Sequence, residues 1–551
     1  MVQVASTGLH EKKLNLDDDF IKFIRFGQWR IDRTGYGILA FITNNTYIDG
    51  ITHRNMRHSL MEAFSDIYIL DLHGSSKKRE KSPDGSQDEN VFDIQQGVAI
   101  SIFIKRNDSK QEEANVWYAQ QYGLREFKYQ WLSENSVESS TWVKVVPQEP
   151  SFFFVPQIGM NIAEYKDGRQ LTHIFQTASS GFQTKRDSFT IHEKEVDLSR
   201  VLADLLTLPI GDIRSKYDLP PDGRDWTISW AKEHIKRLHT SNHLQSTTCL
   251  YRPFDLRETI FDNKSKGFLA YPRYEVLSNM LKPNIALITT RQLSGNHFRH
   301  IFVTRHIIDG NTISLQTHEY NYLFPLYLYQ EHNKQGLFGA NETSDAPGGC
   351  CPNLTSTFIT DISRKLNMQF IQDGKGNLLH TFGPEDIFNY MYAVLHSPTY
   401  RSRYAEFLKI DYPCIPLPTK VNLFRALCAI GYRLVGLHLM EKYGQHRPNY
   451  PELGTNIVEK VDYTQLTNNQ EQGRVWINKT QYFDRVPAEV WDFYIGGFQV
   501  CQKWLKDRKG RQLDMQDVIH YERIVGALAE TITLMEQIDE AIDEHGGWPI
   551  V

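Results

Sequence analysis

Lys185 and Arg186 in TKRD, Arg252 and Arg257 in YRPFDLR, Arg273 in LAYPR, and Arg291, Gln292 and Arg299 in TTRQLSGNHFRH are long cationic or amide side chains set beside aromatic residues and turn formers. Such groups suit a polyanion. A guanidinium fork matches the two acceptors on a guanine edge, and a glutamine amide matches adenine. Lysine and arginine also hold phosphates without reading sequence. The charge balance follows the same division. Trp226 to Arg305 carries 12 basic and 5 acidic residues, a local +7, whereas Arg511 to the end carries 2 basic and 9 acidic, a local −7. Two readings stand side by side. The basic stretch either faces a polyanion or is a solvated face without a partner. Likewise Asp187 and Asp255 either aim the neighbouring arginines outward or hold them in structural ion pairs that stiffen turns.

The rest of the chain narrows the chemistry by what it lacks. With 551 residues, 40% hydrophobic, 12% aromatic and 23% charged, it has globular composition and material for two to four domains. No apolar run reaches the ~18–20 residues of a membrane span, and no signal peptide opens it. Six cysteines, Cys350 and Cys351 adjacent, make neither a disulfide framework nor a paired CxxC zinc pattern, which suits a reducing, cytoplasmic setting. GxxxxGK[ST], HExxH and GxSxG are missing. SPDGSQDE and HEKEVD fit an acidic nuclease pattern only as loosely as chance allows.

The elements that would position these residues fall into zones. In LDDDFIKFIRFGQWRID the acidic opening suits a helix N-terminus, and Phe20, Ile24 and Phe23 share helical spacing. GYGILAFITNN reads as a short buried strand, HRNMRHSLMEAFSD as a helix through Met56, Leu60 and Phe64, and IYILDLHG as a second strand ending in a glycine turn. A polar loop and a third strand, GVAISIFIKR, follow. Helix–strand alternation predicts a doubly wound α/β sheet, of which only about half is present. From about residue 145 irregular aromatic-rich segments with short strands take over. A linker spans 340–354, and beyond it the pattern becomes increasingly helical. It ends in an acidic segment of clean helical period, expected to pack as an outer helix.

One stretch ties these zones to a known family. GYGILAFITNNTYIDGITHRNMRHSLMEAFSDIYILDLHG, a polar loop, and then VFDIQQGVAISIFIK resemble the second half of an adenine-specific DNA methyltransferase, where a strand–helix–strand unit precedes a Val-Phe loop and a final hairpin strand. The resemblance is closer to type ISP restriction–modification enzymes. SSGFQTKRDSF, YRPFDLR, GPEDIFNYMYAVLHSPTYRSRYAEFLKIDYPCIPLP and VWINKTQYFDRVPAEVWDFYIGGFQVCQKWLKDRKGR are similar to their specificity region. The resemblance implies three parts. Residues 1–145 would be the C-terminal half of a methyltransferase domain with a partial Rossmann-like sheet. Residues 146–339 would be the DNA-contacting part of a mixed α+β target-recognition region, and 340–551 its helical part.

The resemblance also implies a role for Phe92. An adenine must leave the duplex before its amino group can be methylated, and the aromatic of the Val-Phe loop supplies a flat face for the extruded base. The competing reading makes Phe92 a core residue at a strand entrance. In the same way Lys185, Arg186, Arg252, Arg257, Arg273, Arg291, Gln292 and Arg299 become candidate contacts to double-stranded DNA. The departures are as informative. The only Pro-Pro, Pro220-Pro221, has the wrong neighbours for the family's Asp/Asn-Pro-Pro-Tyr/Phe motif, and the glycine-rich turn for S-adenosylmethionine is missing, as are helicase and nuclease motifs. Met1 falls just after the place where the catalytic motif belongs. The expectation is therefore a target-recognition portion that methylates only with an N-terminal half or subunit bearing the donor site. The alternative is a non-catalytic DNA-binding remnant or interaction module.

Overall fold

Ile21, Ile24, Gln28 and Ile31 recur every three or four residues and form the buried stripe of helix α1 (Asp19–Thr34), which ends at Gly35 in the left-handed conformation, φ 84°. Phe23, read above as part of that stripe, is 60% exposed, because the helical step of about 100° carries it to the outer side. The computed structural model describes residues 18–76, 80, 82–107, 114–149, 151–156, 162–295, 297–316, 319–329, 350–466 and 469–550. The N-terminal stretch 1–17 and most of the linker read at 340–354, with the boundary at 339/340, lie outside them. The chain divides into two units, residues 1–160 and 161–551.

In the first unit α1 is followed by strand β1 (Gly37–Asn44), helix α2 (Arg54–Ala63), and strands β2 (Asp66–Asp71), β3 (Val98–Lys105) and β4 (Asn115–Gln120). Helix α3 (Arg125–Glu134) and strand β5 (Val143–Val145) complete it. The five strands order as β1-β3-β2-β4-β5. β3 lies between β1 and β2 and runs antiparallel to both, while β2 and β4 are parallel. β1 therefore sits at the end of the sheet and is not the buried strand its apolar run suggests. Its Leu39 packs inward, whereas Ile38 and Ile42 are exposed. The core face joins Ile24, Ile31, Leu60, Phe64, Ile67, Ile69, Phe103 and Val116. Buried Arg57 staples this unit: its guanidinium donates to the carbonyls of Tyr47 (2.6 Å), Gly50 (2.7 Å) and Phe152 (2.8 Å). Burial, which disfavours the charged form, pushes its pKa down to about 9.

The second unit is a mixture of small sheets and helices. An antiparallel sheet orders Ile301–Thr304, Ala286–Thr290, Asn321–Pro325 and the short strand Ser179–Ser180. A second joins Ser246–Arg252, Asp255–Ile260 and Ile307–Ile308, and a third joins Asp462–Leu466, Asn469–Trp476 and Tyr482–Pro487. Three long helices follow, α4 (Pro384–His396), α5 (Val421–His438) and α6 (Met515–Glu544). Gly431 lets α5 approach α4 closely, since a Cβ there would lie 1.9 Å from the Asn389 carbonyl. The acidic C-terminal segment is not an outer helix. Along α6, Tyr521, Ile524, Val525, Gly526, Ala527 and Leu528 are consecutive or nearly consecutive buried residues, so more than one face of its middle is covered. Five of its eight acids lie from Glu536 onward. Among the described residues no helix is long and apolar enough to cross a membrane.

Candidate nucleic-acid interface

In the first unit the Val91-Phe92 loop leaves the end of the polar stretch and is held from below. Asp88 and Lys128 form a fully buried ion pair at 2.8 Å. Asp88 also accepts from the backbone of Gly74 (2.7 Å) and Gly123 (2.8 Å), and Lys128 donates to the carbonyls of Leu72 and Glu89. Above this anchor, Asn90 closes an Asx turn by accepting from the Phe92 N–H at 2.9 Å, while its amide donates to Gly74 and Gln96. Arg125 and Tyr129 on α3 bind the Asn90 and Val91 carbonyls. The clamp buries Val91 and turns Phe92 outward, 42% exposed. Phe92 is thus no core residue. An aromatic ring stands on a loop whose backbone is fixed from two sides.

The neighbouring polar cluster closes on itself. Buried Asp71 at the end of β2 accepts from the Asn45 amide (2.9 Å) and the His73 N–H (3.0 Å). His73 meets Glu80 at 2.9 Å and stacks on Tyr122, ring centroids 3.8 Å apart. Burial raises the Asp71 pKa against the lowering effect of His73. The ends of β1 and β2 are therefore filled by their own side chains.

In the second unit the structure sorts the eight polyanion candidates. Arg252 is buried; its guanidinium bonds Asp309 at 3.0 Å and covers the Tyr251 ring at 3.7 Å. Arg257 binds Asp255 at 2.9 Å, and Asp255 is shared with Arg508 at 2.8 Å. Burial alone would raise the Asp255 pKa, but the two guanidinium groups more than offset it and hold it low. Of the two readings left open, these two arginines take the structural one. Arg291 pairs with Asp411 at 2.8 Å yet stays 45% exposed, and Gln292 beside it is half-buried. Arg299 lies over the half-exposed Tyr494 ring at 5.2 Å.

Lys185, Arg186 and Arg273 come together. The segments around Gln183 and Tyr271 pair through backbone hydrogen bonds of 2.8 and 3.0 Å, which brings the two loop tips side by side. Lys185 (φ 62°) and Arg273 (φ 56°) are both exposed and both in the left-handed region. Arg186 is not oriented by Asp187, whose carboxylate takes the Thr184 hydroxyl; it donates to the Pro221 carbonyl at 2.9 Å and lies over Trp226 at 5.4 Å. That bond draws in a third tip, the turn Asp222–Trp226. It carries Arg224, 92% exposed and bonded to Asp225 at 3.3 Å. Arg224 is not among the sequence candidates, since the proline pair is the feature of DLPPDGRD that bears on the family motif. Its signal was the DGRD turn itself, a cation between two acids at a glycine.

The comparisons with known proteins agree with this architecture. Residues 173–537 match the family model described as the Type ISP C-terminal specificity domain. No curated protein matches the chain. Among solved structures, the chain is similar to the DrdV–DNA complex, with a TM-score of 0.63 and 20% identity over 97% of this chain and 53% of that one. It is similar to the ATP-dependent Type ISP restriction-modification enzyme LlaBIII bound to DNA, TM-score 0.64, 21% identity, over 99% of this chain and 35% of the other. A nuclease-deletion mutant of the Type ISP enzyme LlaGI with a DNA substrate mimic gives a TM-score of 0.62 and 19% identity over 96% and 41%. The chain spans about half or less of the length of these proteins.

Proposed function

The chain belongs to the Type ISP C-terminal specificity family, and from that premise we propose that it is the DNA-binding, target-recognition segment of a restriction–modification system that methylates adenine. The observation that carries the reading is the coincidence of two features. The unit that bears the family match also presents Lys185, Arg224 and Arg273 outward on three joined loop tips, while nearby acids are turned into hydrogen bonds of their own. The DNA in the similar solved complexes supports the same partner. The test is selection from a randomised double-stranded pool. A target-recognition segment enriches one motif, and a pool that stays random after repeated rounds contradicts the reading.

The first unit supports a share in methylation without performing it. An antiparallel strand inserted between two parallel ones, reached through a Val-Phe loop, is the arrangement expected of the second half of an adenine methyltransferase sheet. The exposure of Phe92 on a fixed loop supports its reading as a stacking face for an extruded base. The glycine-rich turn that would cradle S-adenosylmethionine does not occur in the sequence, and Asn45, Asp71 and His73 at the ends of β1 and β2 are engaged with one another. No methyl-transfer step is assigned to this chain, and the donor site would come from a companion segment. The exposed apolar side chains of β1 are the surface such a segment would cover.

A further inference from the structure

Arg224 differs from its two cationic neighbours in how it is held. Lys185 and Arg273 form no ion pair or hydrogen bond with a carboxylate among the described residues, although the Lys185 charge also reaches Asp225. Arg224 stands at the tip of a turn closed by the Gly223 N–H to Trp226 carbonyl bond at 3.0 Å, and Arg214 braces the turn through Asp222 at 2.9 Å. The Arg224 Nε donates to Asp225 at 3.3 Å. That carboxylate is in turn held by the Tyr271 hydroxyl at 2.9 Å, and Tyr271 belongs to the backbone-paired tip that carries Arg273. The Tyr271 hydrogen bond is also the main reason the Asp225 carboxyl stays below its ordinary range.

The two ways of binding DNA make opposite demands. A phosphate contact gains from undiminished charge and tolerates a mobile side chain. A guanine contact needs the guanidinium plane fixed so that two parallel N–H groups meet O6 and N7, and loses little from a nearby carboxylate. Asp225 offsets part of the field of the Arg224 guanidinium and gives its Nε a partner, while the terminal nitrogens remain in solvent. We infer that Arg224 reads a guanine in the major groove, that Asp225 and Tyr271 are positioning residues for it, and that Lys185 and Arg273 hold the flanking phosphates. The inference rests on the DNA-recognition reading above and names one of its base contacts.

The experiment uses the full chain and the motif enriched by it, with affinities measured for that motif and for every single-base-pair change. Arg224→Ala is expected to abolish discrimination at one G·C pair, a loss of roughly 10–100-fold, with other positions and the salt dependence unchanged. Arg224→Lys does not restore it, since an ammonium lacks the fork. Tyr271→Phe weakens preference at the same base pair only, in part. A uniform loss on all sequences with the log–log salt slope reduced by about 0.9 would make Arg224 a phosphate contact and overturn the inference, as would unaltered preference. Failure of the parent reading looks different: the unsubstituted chain then enriches no motif at all.

Discussion

Lys128 and Phe92 sit within one loop system and make opposite contributions to it. The buried Lys128–Asp88 pair anchors the loop, so Lys128→Ala leaves an uncompensated carboxylate and should destabilise the first unit by ~3–5 kcal/mol. Phe92 is exposed and its removal should change stability by less than about 0.5 kcal/mol. Denaturant midpoints of the two variants check this pair of expectations. With a donor-bearing companion present, Phe92→Ala should reduce the fluorescence of an adenine analogue at the target while overall DNA affinity holds. An undiminished signal would remove Phe92 from the base-stacking role. At this scale the sequence was legible where a side chain's surroundings are local. The polar loop that leads to Phe92 and the exposed Lys185 are of this kind. It was opaque where the partner is remote. Nothing in YRPFDLR reveals that Asp309 lies against Arg252, or that Arg508, 253 positions from Asp255, completes the buried cluster.

The helices of the second unit carry a pH response. His438 on α5 accepts from the Tyr392 hydroxyl at 2.6 Å through Nδ1 and meets Thr531 at 2.9 Å through Nε2. Thr531 gives its own proton to the Ala527 carbonyl, so the network assigns His438 the neutral Nε2–H form. Burial, assisted by Arg401, lowers its pKa from 6.5 to about 3, and burial lowers His396 as well. The unfolded chain therefore binds protons here that the folded chain refuses. Stability from these groups is complete above pH ~6.5 and declines as pH falls toward 3, by up to ~1.4 kcal/mol per unit for each histidine. Chemical denaturation at pH 7.5, 6.0 and 5.0 should show the fall, and His438→Gln should reduce its slope, leaving the share of His396. A native curve that stays level across that range would refute the assignment. Helical period alone could not show that α4, α5 and α6 share this network. The period locates α6 but not its depth, because Gly526 and Ala527 read as weak positions although they are the places where backbone packs against backbone.

At the scale of the molecule the first unit ends in a strand that has no second neighbour among the described residues. β1 exposes Ile38 (68%) and Ile42 (43%), and α1 adds Phe23 and Phe26. Such an edge invites pairing. The chain alone should self-associate as concentration rises, and Ile38→Lys with Ile42→Lys should keep it monomeric in sedimentation velocity. A monomer without the substitutions would contradict the view that this surface is made for a companion. The strand rhythm of residues 35–106 was plain in the sequence, but the order β1-β3-β2 was not. Apolar runs of equal weight do not say which strand is central, and β1 looked buried for that reason.

Recognition of a DNA sequence by this chain is read directly from its affinity for the enriched motif and for a scrambled duplex across a salt series. A preference on the order of 10³ or more for the motif is expected. The log–log salt slope should be steeper than about −1.8, the share of two phosphate contacts at Lys185 and Arg273. Equal affinity for both duplexes at every salt concentration would contradict sequence recognition and leave a basic surface without a reading function.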